Sequence, residues 1–247
     1  MTDKQKQFIE NNIDLIEQEN WEKFFSACPP GTGYFLHKSG INFLHHVNYI
    51  KEGMFATSDI EDLVIPENID LVFANSFSNC PKLKQIELSV PVKIYDSFMN
   101  CPSFDSVVIP DITVWIDSEI TPAFKVPVNL VCDDQIIKDM EIPQNIPRIK
   151  SSCFKYCKSV ESLTIPESVQ EVGVRSFAGC VNLKNITILN PNIKLNTECF
   201  GYLNENVLIK FSGTKEQWKN ACDKDTLYLT YYKVECLDGS IVKKKRK

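Results

Sequence analysis

Ten cysteines and three histidines are the residues in this 247-residue chain with the most chemical potential. Cys80, Cys101, Cys157 and Cys180 each stand three residues after a phenylalanine. A cysteine at a fixed offset could be a nucleophile, a metal ligand or a small buried hydrophobe with a weak S–H donor. Nucleophilic use needs a neighbouring base. The histidines, His37, His45 and His46, all lie in the N-terminal quarter, away from these cysteines in sequence. His45 and His46 point to adjacent directions on a helix, so they do not chelate as an i, i+4 pair would. No C-x-x-C pair occurs, and ligands in one row of a ladder do not surround a tetrahedral ion. Packing is the reading of the repeated cysteine, with no metal, cofactor or catalytic residue expected. "PPGTG" (29–33) lacks the Lys-Ser/Thr and the preceding strand of a phosphate loop, and reads as a turn. The carboxylates are scattered, and a glycosidase-type pair needs a deep cleft.

The elements that carry the cysteines repeat. "SFSNCPKLKQIEL" (76–88), "SFMNCPSFDSVVI" (97–109), "CFKYCKSVESLTI" (153–165) and "SFAGCVNLKNITI" (176–188) match position for position. A shorter copy lies at 54–65 and a decayed one at 199–211. The phenylalanines, Phe55, Phe77, Phe98, Phe154, Phe177 and Phe200, are separated by 22, 21, 56, 23 and 23 residues. A period in the low twenties marks a solenoid. Within a unit, Leu163 with Ile165 and Ile186 with Ile188 alternate as a short strand. A following proline stops the ladder, a linker such as "IPENIDLV" (65–72) or "IPDITVWI" (109–116) runs on extended, and F-x-x-C turns the chain back. Stacked units bury the apolar face that one unit cannot. The long step across 111–152 is read as one ordinary and one truncated unit, with strands in 126–134 and 139–147 and an irregular loop at 118–124.

The motif F-x-x-C-x-x-L-x-x-I-x-I-P, over Phe55 to Phe211, resembles the BspA-type leucine-rich repeat. The segment 211–242, with Gly213-Thr214, Trp218 and Cys236-x-Asp238-Gly239, is similar to the terminal unit of that family. The resemblance implies a right-handed, β-rich α+β solenoid of ~23-residue units with a parallel strand ladder. The stretch 38–55 is similar to the beginning of solenoids in intracellular and phage-encoded relatives. That implies a narrower role, binding and blocking a host factor such as a CRISPR-type defence nuclease. The alternative is a structural or adhesive component of a virion or cell surface.

Four segments follow. Residues 1–50 form a helical cap, with Phe8, Ile9, Ile13, Ile16, Trp21, Phe24 and Phe25 at helical spacing, Asp3 as first cap and a second helix over 41–50. Residues 51–211 are the solenoid, 212–242 a strand-rich C-terminal cap, and 243–247 a basic tail. The net charge is −5, but outside the tail 22 basic residues face 32 acidic ones, a balance of −10. That disfavours nucleic acid or an anionic membrane as partner, except through 243–247, which otherwise reads as a solubilising terminus. No signal peptide or spanning run is visible, so reduced thiols and an intracellular location are expected.

The outward positions of the ladder then form the candidate binding face. One row holds Asp62, Gln85, Ser106, Ser162, Asn185 and Leu208, and the other Val64, Glu87, Val108, Thr164, Thr187 and Lys210. Of these, Val64, Gln85, Glu87, Val108, Thr164, Asn185, Thr187 and Lys210 are the candidate contacts for an unidentified protein. Such residues also suit a plain solvated strand. Tyr95, Trp115 and Phe124 are the candidate aromatic anchors from the loops.

Overall fold

The computed structural model describes residues 1–120, 128–222 and 232–241. Phe124 and the tail 243–247 lie outside the described residues. The chain divides into two compact units, residues 1–110 with 117–120, and 111–116 with the described residues from 128 onward. In each, parallel strand ladders about 23 residues apart build a β-solenoid.

The first unit opens with four helices, α1 (Asp3–Asn11), α2 (Ile13–Glu17), α3 (Trp21–Ser26) and α4 (Thr32–Lys38). Thr2, and not Asp3, caps α1. The Thr2 side chain accepts from the Gln5 N–H at 3.3 Å, and Gln5 Oε1 accepts from the Thr2 N–H at 2.6 Å. Threonine with glutamine three residues on is a reciprocal cap, which leaves Asp3 in the first turn to favour the helix dipole. Trp21, Phe24, Phe25 and Phe43 are buried together, with Phe25 and Phe43 5.0 Å apart. The expected helix over 41–50 is instead a 3₁₀ turn, Phe43–His46, followed by β1 (Tyr49–Ile50). Ile50 pairs with Val72 as the first rung of a ladder, and that pairing demands extended backbone.

Each turn holds a longer and a shorter strand. In chain order these are β2 (Asp62–Ile65), β3 (Leu71–Val72), β4 (Gln85–Leu88), β5 (Lys93–Ile94), β6 (Ser106–Val108) and β7 (Glu119–Ile120). β2, β4 and β6 pair in parallel, as do β1, β3, β5 and β7. Leu63 and Ile65 turn inward while Val64 faces solvent. The phenylalanines pile up as a column, with Phe55–Phe77 and Phe77–Phe98 each 5.3 Å apart and within 10° of parallel. That spacing matches adjacent strands. The serine before the phenylalanine is buried too. Ser76 Oγ donates to Phe73 O at 2.6 Å and Lys51 O at 3.0 Å, stitching one turn to the one before.

In the second unit, α5 (Ile112–Asp117) replaces the extended linker expected over 109–116. Asp111 Oδ1 accepts from the Thr113 N–H at 2.7 Å and starts the helix. Trp115 is buried and donates Nε1–H to Cys153 O at 2.8 Å, so it is no surface anchor. β8 (Asn129–Cys132) and β9 (Gln135–Ile136) form an antiparallel hairpin across Asp133-Asp134, whose φ of 49° and 57° suit a two-residue turn. The strands continue as β10 (Asp139–Glu141), β11 (Arg148–Ile149), β12 (Ser162–Ile165), β13 (Glu171–Val172), β14 (Asn185–Ile188), β15 (Lys194–Leu195) and β16 (Leu208–Phe211). Among the described residues, 111–152 therefore holds α5, β7 in the first part of the expected loop 118–124, and the hairpin ahead of an ordinary turn, β10 to β11; the rest of that loop, 121–124, lies outside the described residues. Phe154, Phe177 and Phe200 form this unit's column, 5.0 and 5.6 Å apart.

At the C-terminal end, α6 (Lys215–Ala221) is capped by Thr214, with Gln217 reciprocating. Trp218 packs 5.2 Å from Phe211, and Asp238 Oδ1 accepts from the Lys215 N–H at 2.9 Å. A hairpin of β17 (Lys233–Cys236) and β18 (Gly239–Ile241) closes the ladder. Gly239 sits at φ 114°, a conformation open to glycine.

Candidate protein-binding face

The outward rows follow from period-two alternation locked by register. In the first unit, Asp62, Gln85 and Ser106 are consecutive partners, and Val64, Glu87 and Val108 form the next row. Val64 is 52% exposed and Glu87 is exposed, while Gln85 and Val108 are half-buried. In the second unit, Thr164, Thr187 and Lys210 are partners, with Asn185 in the row that joins Ser162 to Leu208. The candidate residues thus gather into two sets of four, one on each unit.

The second unit's rows are longer than sequence reasoning found. Asp139 and Glu141 precede Ser162 and Thr164, and Lys233 and Glu235 follow Leu208 and Lys210. The alternation Asp139-Met140-Glu141, with only methionine buried, was the signal for the first pair. The second lacked any repeat consensus. These ends are polar. Ser162 donates to the Asp139 carboxylate, and Lys233 Nζ bonds Glu235 Oε1 at 2.6 Å, holding Glu235 below the usual carboxylate range. Ion pairs flank the rows at the preceding bend. Lys84 meets Glu61 at 2.7 Å and holds its carboxyl low, and Lys184 does the same to Glu161. Each unit thus carries its own outward strand rows, in which small and β-branched side chains alternate with charged ones beside ion pairs. They offer shape and hydrogen bonds.

The repeated thiols sit elsewhere, inside the turns. Cys80, Cys101 and Cys180 donate to Phe55 O, Phe77 O and Phe154 O at 3.1, 2.9 and 3.1 Å. The residue before each adopts left-handed backbone, Asn79 at φ 57°, Asn100 at 58° and Gly179 at 75°, which explains the asparagine or glycine there. Burial pushes Cys180 up to about 12. Cys80 and Cys101 are likewise buried free thiols. His46 Nδ1 lies 3.4 Å from the Glu19 carboxylate on the helical segment. Among the described residues no His, Cys, Asp and Glu group could hold a metal ion, and no helix is long and apolar enough to cross a membrane.

Of the proposed anchors, Tyr95 alone is exposed among the described residues, at 37%. It belongs to an aromatic patch that sequence reasoning missed, with Tyr49 and Phe73 on the β1–β3–β5–β7 ladder of the first unit. The two-residue strands there were too short for an alternation to show.

A family profile agrees with this architecture. The profile described as BspA type Leucine rich repeat region matches in 6 copies over residues 35–120 and 129–240. Among solved structures, a leucine-rich repeat protein from Bacteroides ovatus ATCC 8483 is similar at 17% identity and TM-score 0.42, over 78% of this chain and 46% of that one. A leucine rich cell surface protein from Faecalibacterium prausnitzii A2-165 is similar at 18% identity and TM-score 0.28, over 66% of this chain and 62% of that one. This chain thus spans about half of the first protein and less than two thirds of the second. A search of curated proteins returns no significant match.

Proposed function

The chain belongs to the BspA type leucine rich repeat family, and on that premise we propose that it is a non-catalytic scaffold binding a protein partner through the outward strand rows. The observation that carries the reading is the register of side chains that the ladder positions but does not need for its core. Val64, Glu87 and Val108 stand in one row, and Thr164, Thr187 and Lys210 in another. Repeated rungs give an extended surface on which a partner is read by many small contacts. The narrower form of the proposal is an inhibitor inside a cell, blocking a host factor such as a defence nuclease. Its support is the resemblance of 38–55 to phage-encoded relatives.

Affinity capture from the native host with mass spectrometry tests the reading. A specific protein held by the natural chain and lost from the Glu87→Lys, Lys210→Glu double variant is the expected result. Unchanged capture by that variant sinks the strand face. Co-purification with particles or envelope, with no specific partner, supports the structural or adhesive alternative instead.

A further inference from the structure

The first unit has a second outward face, on its shorter strands. Tyr49, Leu71, Lys93 and Glu119 are consecutive partners there. The next row holds Lys51, Phe73 and Tyr95, since the Phe73 N–H donates to Ile50 O at 2.9 Å and the Tyr95 N–H to Val72 O at 3.0 Å. The corresponding ladder of the second unit reads Arg148, Glu171 and Lys194, followed by Lys150, Gly173 and Asn196. The same backbone therefore forms with charged and small residues at these positions. The fold does not require Tyr49, Leu71, Phe73 and Tyr95, yet Phe73 is 40% exposed. Clustered exposed apolar side chains that the core does not need mark an interaction surface.

A groove of about 630 Å³ lies over this face, lined by Tyr49, Phe73, Lys51, Glu52, Asp70 and Lys93 among others. The Tyr49 and Phe73 rings stand edge to face, 5.8 Å apart at 85°. They offer no flat two-ring platform for a sugar. A cation over one ring face suits them better. The groove's own cations are engaged, Lys51 Nζ with Phe25 O at 2.6 Å and Ser26 O at 3.3 Å, and Lys93 with Glu119 at 3.8 Å. Asp70 has no ion pair among the described residues, and Glu52 accepts from the Asn75 amide at 3.3 Å. Lys51 keeps its charge, since its partners are neutral carbonyls, and with Glu119 in the same row three carboxylates, Glu52, Asp70 and Glu119, meet two lysines, Lys51 and Lys93, a balance of −1 in a body that is itself acidic.

We propose that this groove docks an extended basic segment of a partner protein, with an arginine or lysine against Tyr49 and Phe73 and paired with Asp70 and Glu52. The proposal rests on the protein-binding reading and adds a second surface to it. Fluorescence anisotropy of a labelled peptide of alternating arginine and serine, titrated with the full chain at physiological ionic strength, tests it. Saturable binding is expected. The Phe73→Asn variant should weaken it by about five-fold or more, and asparagine is already tolerated at the equivalent Asn196. The Glu52→Gln, Asp70→Asn pair should weaken it to a similar degree, and Glu87→Lys with Lys210→Glu should leave it unchanged. Unaltered affinity in either groove variant overturns the proposal. So does equal binding of a glutamate–serine peptide, or binding of cellohexaose in place of the basic peptide. A groove that ignores the peptide in a chain that still captures its partner through the strand rows sinks the groove alone. A groove that binds the peptide in a chain whose strand rows capture nothing sinks the strand-row reading instead.

Discussion

The Cys180 thiol donates to the Phe154 carbonyl at 3.1 Å, one turn back along the solenoid. The bond satisfies a carbonyl inside the turn and leaves the sulfur enclosed, with its pKa pushed up to about 12 by burial. A thiol needs both exposure and thiolate character to react. At neutral pH, Cys180 should stay unmodified by iodoacetamide in the folded chain and react only on unfolding. The half-buried Cys222 and Cys236 should react earlier. Peptide mapping by mass spectrometry reads the order, and modification of Cys180 in step with Cys236 would contradict a packing role.

Phe177 lies between Phe154 and Phe200, 5.0 and 5.6 Å from them, and is wholly buried. Phe177→Ala removes a ring from the column and should cost about 3–5 kcal/mol. Thr187→Ala, ten positions on and facing outward, should cost no more than about 0.5 kcal/mol. Urea unfolding of the two variants measures the contrast. Similar losses would mean that the outward row is structural.

The parts of this fold that repeat were legible because several linked positions recur. Phe177, Cys180, Leu183, Ile186 and Ile188 each have counterparts one period away, and the structure buries all five. The same registration placed Glu87 beside Val64 and Thr187 beside Thr164. What happens once was not legible. Trp115 reads as part of an extended linker, because I-x-V-x-I alternation suits a strand as well as a short helix. Only its place beside Cys153, distant in sequence, settles it. The shift from a helix over 41–50 to β1 has the same origin, since pairing of Ile50 with Val72 overrides local propensity. The aromatic groove stayed hidden because two-residue strands carry no periodicity.

Four surface glutamates have carboxyls held below their ordinary range by hydrogen bonds from basic partners: Glu61 by Lys84, Glu161 by Lys184, Glu198 by Arg175 and Glu235 by Lys233. A depressed folded-state pKa contributes stability above the unfolded value, about 4.3, and loses it as pH falls through the folded value. Thermal midpoints should be flat from neutrality to about pH 5 and fall below about pH 4. Exposed pairs are screened, so high salt should shrink the fall. Lys84 and Arg175 are raised by the same bonds, and their contribution disappears only on the alkaline side. Glu161 sits between Lys138 at 3.8 Å and Lys184. Glu161→Gln should therefore flatten the acid limb, and an unchanged limb would assign the fall to other carboxylates.

Trp115 donates its indole N–H to Cys153 O at 2.8 Å from a helix that the repeat pattern does not contain. The bond ties α5 to the turn that begins the second unit's phenylalanine column at Phe154. Trp115→Phe keeps an aromatic ring and deletes the donor, so its cost should be about 1–2 kcal/mol, from the lost bond and reduced ring size. Trp115→Ala also opens a cavity and should cost about 3–5 kcal/mol. Urea unfolding by circular dichroism gives both values. Acrylamide quenching gives an independent reading, because Trp21, Trp115 and Trp218 are all buried. Quenching of the native chain should be weak and rise only through the unfolding transition. If Trp115→Phe were as stable as the natural chain, α5 would owe its place to ring packing alone, with no part played by the bond to Cys153.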